Sequence, residues 1–171
     1  MNPTTINPSR RLDAVFARVC LSVCALLMVA GCRGPSDHPQ IRAVLAAQVK
    51  AWNAADIEGF MSHYWKSDRL TFVSTLKVID PATGKTRIVS TTAHGWQATL
   101  DRYKQRYPSP EAMGKLTFSD LKIAKTAEDA ADLSGRYHLS PKDGGLTGRF
   151  FLNLRRINGR WVITRDHTVA D

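Results

Sequence analysis

Leu146–Thr168 reads LTGRFFLNLRRINGRWVITRDHT. Apolar and polar residues alternate along the first arm, and Phe150, Leu152 and Leu154 fall on one face. Trp161 and Ile163 fall on one face of the return arm. Asn158-Gly159 stands between them, and a period of two broken by Asn-Gly is the strongest short-range signal for a β-hairpin. Strict alternation through the second arm places His167 with Trp161 and Ile163, and Asp166 on the opposite face.

Working back from the hairpin, Ala131–Leu139 alternates cleanly through Leu133, Gly135 and Tyr137. In Lys115–Lys125 the apolar positions change parity at Ser119-Asp120, which predicts a bulge. Further upstream the period becomes helical. Ile41, Val44, Leu45, Gln48, Val49 and Trp52 form one face of a helix over Gln40–Asn53. Asp56 is placed to cap a short second helix bearing Ile57, Phe60, Met61 and Tyr64. A third helix is expected over Thr92–Tyr107, with Trp96, Leu100, Tyr103 and Tyr107 on one stripe, ended by Pro108. Between the second and third helices lie a short strand at Leu70–Ser74 and two arms, Lys77–Ile79 and Thr86–Val89, around a turn. Helices with short strands followed by four longer antiparallel strands make an α+β pattern.

The first 31 residues are of another kind. Arg10, Arg11 and Arg18 precede Val19–Ala30, an apolar run of 12 residues. A bilayer-spanning helix needs about 20, whereas a signal-peptide core needs fewer. The run ends in Val29-Ala30-Gly31-Cys32, which resembles a bacterial lipobox with Cys32 as the acylated new N-terminus. Ser9-Arg10-Arg11-Leu12 also resembles a twin-arginine signal, but Asp13 stands where that pattern wants an apolar residue, which favours the general secretory route. The other cysteines, Cys20 and Cys24, lie inside the segment to be removed, and Arg33–Asp171 contains none. The expected organisation is a signal peptide at 1–31, a tether at 32–39 rich in Gly, Pro and Ser, and a domain at 40–171. The full chain carries a net charge of +9; removing residues 1–31, with three Arg and one Asp, leaves +7. Basic residues are scattered and no basic stripe interleaves with aromatics, so nucleic acid is not an expected partner. The expected location is the cell envelope, with the membrane as partner through a lipid anchor.

Ala51-Trp52-Asn53-x-x-Asp56, the following Tyr64, Gly135-Arg136-Tyr137, Gly148 and Gly159-x-Trp161-x-Ile163-x-x-Asp166-His167-Thr168 resemble the nuclear transport factor 2-like superfamily, nearest its SnoaL-like and ketosteroid-isomerase-like branch. The resemblance spans residues 39–169. It implies a cone: a strongly curved antiparallel sheet wrapped around three helices, with a pocket between them and a homodimer through the outer sheet face. Its members include isomerases, dehydratases, cyclases and pure binding modules, so the fold leaves the function open. Ketosteroid isomerases set a carboxylate base opposite a tyrosine and a protonated carboxylic acid. No such trio is evident in this sequence.

Asp166 and His167 are the candidate catalytic pair. An inward His167 would suit acid–base work near neutral pH; alternatively it closes the cone by hydrogen bonding. Trp52, Tyr64, Tyr103, Tyr107, Tyr137 and Arg149 are candidate ligand-binding residues. Phenols donate hydrogen bonds to a carbonyl oxygen, and an inward arginine holds a carboxylate. The same tyrosines could be core aromatics, and Arg149 could face outward. His38, His63, His94, His138 and His167 show no metal-ligand spacing, and no phosphate loop or nucleophile motif is present, so no metal and no cofactor are expected. Three functions remain: a binding module for a small, mostly apolar molecule or a protein partner, an acid–base isomerase, dehydratase or cyclase, and a structural dimerisation module. The lipid anchor is directly testable. Cys32→Ser should move the protein from the membrane to the soluble fraction on centrifugation of lysed cells; continued sedimentation with membranes would refute acylation.

Overall fold

The computed structural model describes residues 38–140 and 145–171. The expected export segment at 1–31, Cys32, tether residues 33–37 and residues 141–144 lie outside the described residues. Helix α1 spans His38–Asn53 and α2 spans Ile57–Met61. Strands β1, Thr71–Ile79, and β2, Thr86–His94, form a hairpin. Helices α3, Trp96–Arg106, and α4, Pro110–Met113, follow. The chain then enters β3, Lys115–Ala127, β4, Ala130–Ser140, β5, Leu146–Ile157, and β6, Arg160–Ala170.

All six strands form one curved sheet in the order β2-β1-β6-β5-β4-β3, as the α+β reading expects. Every neighbouring pair is antiparallel except β1–β6. The β5–β6 hairpin turns at Asn158 and Gly159, whose φ values of 50° and 76° suit a type I′ turn. The expected bulge in β3 is present: the register shifts between Ser119 and Lys122, and Asp120 has φ 54°. Ile41 and Leu45 of α1, Met61 of α2, and Leu133, Leu154 and Ile163 of the sheet are fully buried, so the core lies between the helices and one sheet face.

The first helix is anchored by its last two residues. The Trp52 indole N–H donates to the Met113 carbonyl at 3.1 Å. Asn53 clamps the start of β3 twice: its Nδ2 donates to the Leu116 carbonyl at 3.1 Å, and its Oδ1 accepts from the Leu116 N–H at 2.8 Å. A side-chain amide bonded both ways to one residue copies a strand pairing, and each bond broken inside the fold costs about 1–3 kcal/mol. Asp56 caps α2 as expected, its Oδ1 accepting from the Gly59 N–H at 2.7 Å.

Three expectations are corrected. His38 and Pro39, read as tether, belong to α1. The strand and arm read separately at Leu70–Ser74 and Lys77–Ile79 are one continuous β1. The third helix begins at Trp96 rather than Thr92, because Thr92, Ala93 and His94 pair with Val73, Phe72 and Thr71. Gly95, at φ 89°, then breaks the strand and starts the helix.

Gly148 is buried in β5, between β4 and β6, and pairs with Tyr137 on one side and Ala170 on the other. A Cβ there would overlap the Val169 carbonyl oxygen and lie 2.6 Å from the Tyr137 hydroxyl. Gly148→Ala should therefore lower stability by about 1–3 kcal/mol in urea unfolding, as overpacking does. An unchanged midpoint would mean that the strands can part at no cost.

Candidate functional site

Between the helices and the sheet lies a cavity of about 450 Å³. Its wall is mostly aromatic and leucine side chains. Trp52 of α1 meets Phe60 at 5.1 Å and Tyr107 at 4.8 Å between ring centroids, both edge to face. Tyr103 meets Phe60 at 5.3 Å and Phe72 at 5.4 Å. Edge-to-face rings hold one another at fixed angles, so the wall is preformed. Arg102, Gln105 and Arg106 of α3 and Leu76 of β1 also line the cavity; they are partly or largely exposed and mark its mouth.

Asp166 stands at the buried end, 4% exposed. The Tyr64 hydroxyl donates to its Oδ2 at 2.6 Å. Tyr103 stands close enough to Tyr64 for each phenol to shift the other's pKa. The other oxygen, Oδ1, is buried without a partner among the described residues, and so is Nε2 of Gln48, which lines the same cavity and is 2% exposed. Burial pushes the Asp166 carboxyl up from 3.8 to about 7; the Tyr64 hydrogen bond pulls it down and is the smaller effect. Burial likewise raises the phenols of Tyr64 and Tyr103 well above 10 and that of Tyr137 to about 12. These hydroxyls stay protonated near neutral pH and act as donors.

Asp166 faces the cavity because β6 carries a bulge. Ile163 pairs with Leu154, but Arg165 pairs with Asn153, leaving Thr164 unmatched. The Thr164 hydroxyl donates to the Asn153 carbonyl at 3.1 Å. One extra residue reverses every side chain beyond it. Strict alternation is thereby overturned: Asp166 turns inward beside Leu152, and His167 turns outward beside Phe151. His167 Nε2 lies 3.0 Å from the Thr75 hydroxyl on that outer face. Arg149 is also exposed on the outer face and takes no part in the cavity, because its inward neighbours are Gly148 and Phe150. Trp52, Tyr64, Tyr103, Tyr107 and Tyr137 line the cavity.

Sequence reasoning missed Gln48, Phe72, Arg102 and Arg106. Gln48 was visible as the one polar residue on the apolar stripe of the first helix. The two arginines each precede a stripe tyrosine, one turn apart. Among the described residues no group of three or more His, Cys, Asp or Glu is placed to hold a metal ion, and no helix is long and apolar enough to cross a membrane.

No protein-family model matches the chain, and no curated protein does. Solved structures do. One, an NTF-2 like protein of unknown function from Shewanella oneidensis, is 33% identical, superposes with a TM-score of 0.65, and is aligned over 78% of this chain and 99% of its own. A ketosteroid isomerase-like protein from Erwinia carotovora is 17% identical with a TM-score of 0.58, covering 80% of this chain and 98% of that one. A cystatin-like protein of unknown function from Nostoc punctiforme is 13% identical with a TM-score of 0.58, covering 79% and 91%. The last two are similar in fold alone.

The buried carboxyl leaves a mark on stability. Asp166 holds its proton more tightly in the folded chain, so between pH 3.8 and about 7 the folded state carries the extra proton and stability falls as pH rises. Raising the pKa from 3.8 to about 7 corresponds to about 4 kcal/mol over that window. Asp166→Asn keeps an acceptor for Tyr64 and cannot ionise. Its stability relative to the unmodified protein should rise with pH and level off above about pH 7. Urea unfolding across pH 4–8 reads this directly, and a difference independent of pH would exclude the assigned titration.

Proposed function

The chain belongs to the nuclear transport factor 2-like family, and we propose that it is a binding module: its cavity takes up a small, mostly apolar molecule while acylated Cys32 holds it in the cell envelope. The family fold serves both ligand binding and isomerase-type chemistry. The observation that carries the binding reading is the pair of buried polar atoms without a partner among the described residues, Asp166 Oδ1 and Gln48 Nε2, on a largely apolar wall. An unmatched buried polar group costs about 1–3 kcal/mol. A ligand hydroxyl or carbonyl would remove that cost, and its body would cover the rings. Cavities of about 300–1,000 Å³ with few convergent polar groups are the usual form of small-molecule sites. The lipobox-like segment supports the envelope placement. Phe151, 47% exposed on the outer sheet face, supports the homodimer.

A second reading has its own observation. A carboxyl near pH 7 beside a phenol donor is also the equipment of acid–base catalysis: Asp166 could pass a proton while Tyr64 and Tyr103 steady a developing oxyanion. The two readings differ in what Asp166→Asn does to a bound molecule. A binding module retains it unchanged, whereas an enzyme stops converting it.

Native mass spectrometry of the purified protein should show a bound small molecule. Ser74 lines the cavity, and Ser74→Trp would fill part of it with an indole. That variant should fold and lose the added mass. Retention of the same mass by Ser74→Trp would place the molecule elsewhere and refute the reading.

A further inference from the structure

The two ends of the cavity differ in electrical character. Resting on the binding-module reading, we infer that the ligand is an amphipathic organic anion whose acidic group sits at the mouth between Arg102 and Arg106, with its apolar body against the rings.

Arg102 and Arg106 are four residues apart on α3, so they project from one face of the helix. Both line the cavity. The Arg102 guanidinium lies 5.4 Å from the Phe72 ring centroid, and that of Arg106 lies 5.8 Å from the Tyr107 centroid. Phe72 and Tyr107 are themselves cavity-wall residues. A guanidinium laid on a ring face is held in place, and its N–H groups point outward in its own plane. Arg102 spends one of its five donors on the Thr91 hydroxyl, at 2.6 Å.

Neither arginine makes an ion pair among the described residues. Lys104, between them on the same helix, pairs with Glu58 at 2.6 Å. Arg136 pairs with Asp171, and Arg155 pairs with Asp129 at 3.2 Å. Glu58 is thus taken up by Lys104, and no acid among the described residues pairs with the two rim arginines. Among the described residues the sole acid on the cavity wall is Asp166, at the far, buried end. Two cations laid on wall rings, with no carboxylate beside them among the described residues and a largely apolar hollow below, complement a molecule with one acidic end. The unpartnered Gln48 Nε2 and Asp166 Oδ1 then suit a hydroxyl or carbonyl at its other end. A charge-assisted contact at the mouth contributes more than a neutral one would, and a guanidinium fork fits a carboxylate or sulfonate side-on.

The test uses two dyes that share one ring system and differ by one charge: anilinonaphthalene sulfonate and neutral phenylnaphthylamine. Fluorescence titration of the purified protein should give an affinity at least about tenfold higher for the sulfonate, the size expected of one charge-assisted contact. Each dye should displace the other. In Arg102→Gln/Arg106→Gln the ratio of the two affinities should fall toward one. Ser74→Trp should weaken both dyes together. Equal affinities in the unmodified protein, or a preference that survives in the double variant, would overturn the anion inference and leave the cavity reading standing. Failure of both dyes to bind, or binding of both untouched by Ser74→Trp, would instead overturn the cavity reading itself.

Discussion

Thr164 stands unpaired between Ile163, which faces Leu154, and Arg165, which faces Asn153. The same residue marks a change of neighbours. Before it, β6 is flanked by the segment after α2: the Ile163 N–H donates to the His63 carbonyl at 3.0 Å, and the Trp65 N–H donates to the Ile163 carbonyl at 2.9 Å. After it, β6 is flanked by β1, beginning with Thr71 opposite Arg165. A strand that exchanges partners must bend, and a bulge supplies the bend. The exchange brings Tyr64, bridged to Ile163, within reach of the side chain that the bulge has just turned inward. The Tyr64–Asp166 hydrogen bond, 102 residues apart in sequence, is the product of that single irregularity.

The magnitudes decide what Asp166 is. Burying an ionised carboxylate among rings costs several kcal/mol, and one phenol hydrogen bond returns about 1.5–3. Desolvation therefore wins, and the group titrates near neutrality instead of remaining an anion. A deep arginine beside it would have reversed the balance. The arginines are at the mouth instead, where water screens them, so nothing at the buried end holds the carboxylate ionised and the mouth stays positive.

Much of this was readable in advance. The Asn158-Gly159 turn, the inward run of β5, the Asp56 cap and the helix stripes rest on local chemistry that each segment carries by itself. So does the bulge at Ser119-Asp120, where two apolar sets of opposite parity show the slip. The bulge at Thr164 carries no such pair of sets, because only Trp161 and Ile163 define the parity before it. A subtler sign was present. Strict alternation would send Arg165 inward with Ile163, and an unpaired buried cation is too costly to stand; in the structure Arg165 is exposed. The length of β1 was hidden for a different reason. Its outer half packs against little, leaving Ile79 66% exposed, so burial never imposed a pattern on it. Arg102 and Arg106 were masked by the usual reading of arginines beside a helix stripe as solvated. Only the packing of Phe72 and Tyr107 beneath them shows otherwise.

The fold leaves the chemistry open, since one cone serves binding and catalysis alike. What narrows it is the separation of charge within the cavity. An ionised Asp166 and an acidic ligand repel each other across a low-dielectric hollow, so each disfavours the other's charged form. An anion bound there would raise the Asp166 pKa further, and by linkage a proton would accompany it inward. Arg102 and Arg106 at the mouth offset the ligand's charge and so keep that coupling moderate. The inner carboxyl then presents an O–H rather than an oxyanion to whatever lies beside it. Such a donor fits a ligand carbonyl, which the neighbouring Gln48 amide N–H fits equally. Both buried groups thus make the same demand, for an acceptor at the buried end of a molecule whose other end is acidic.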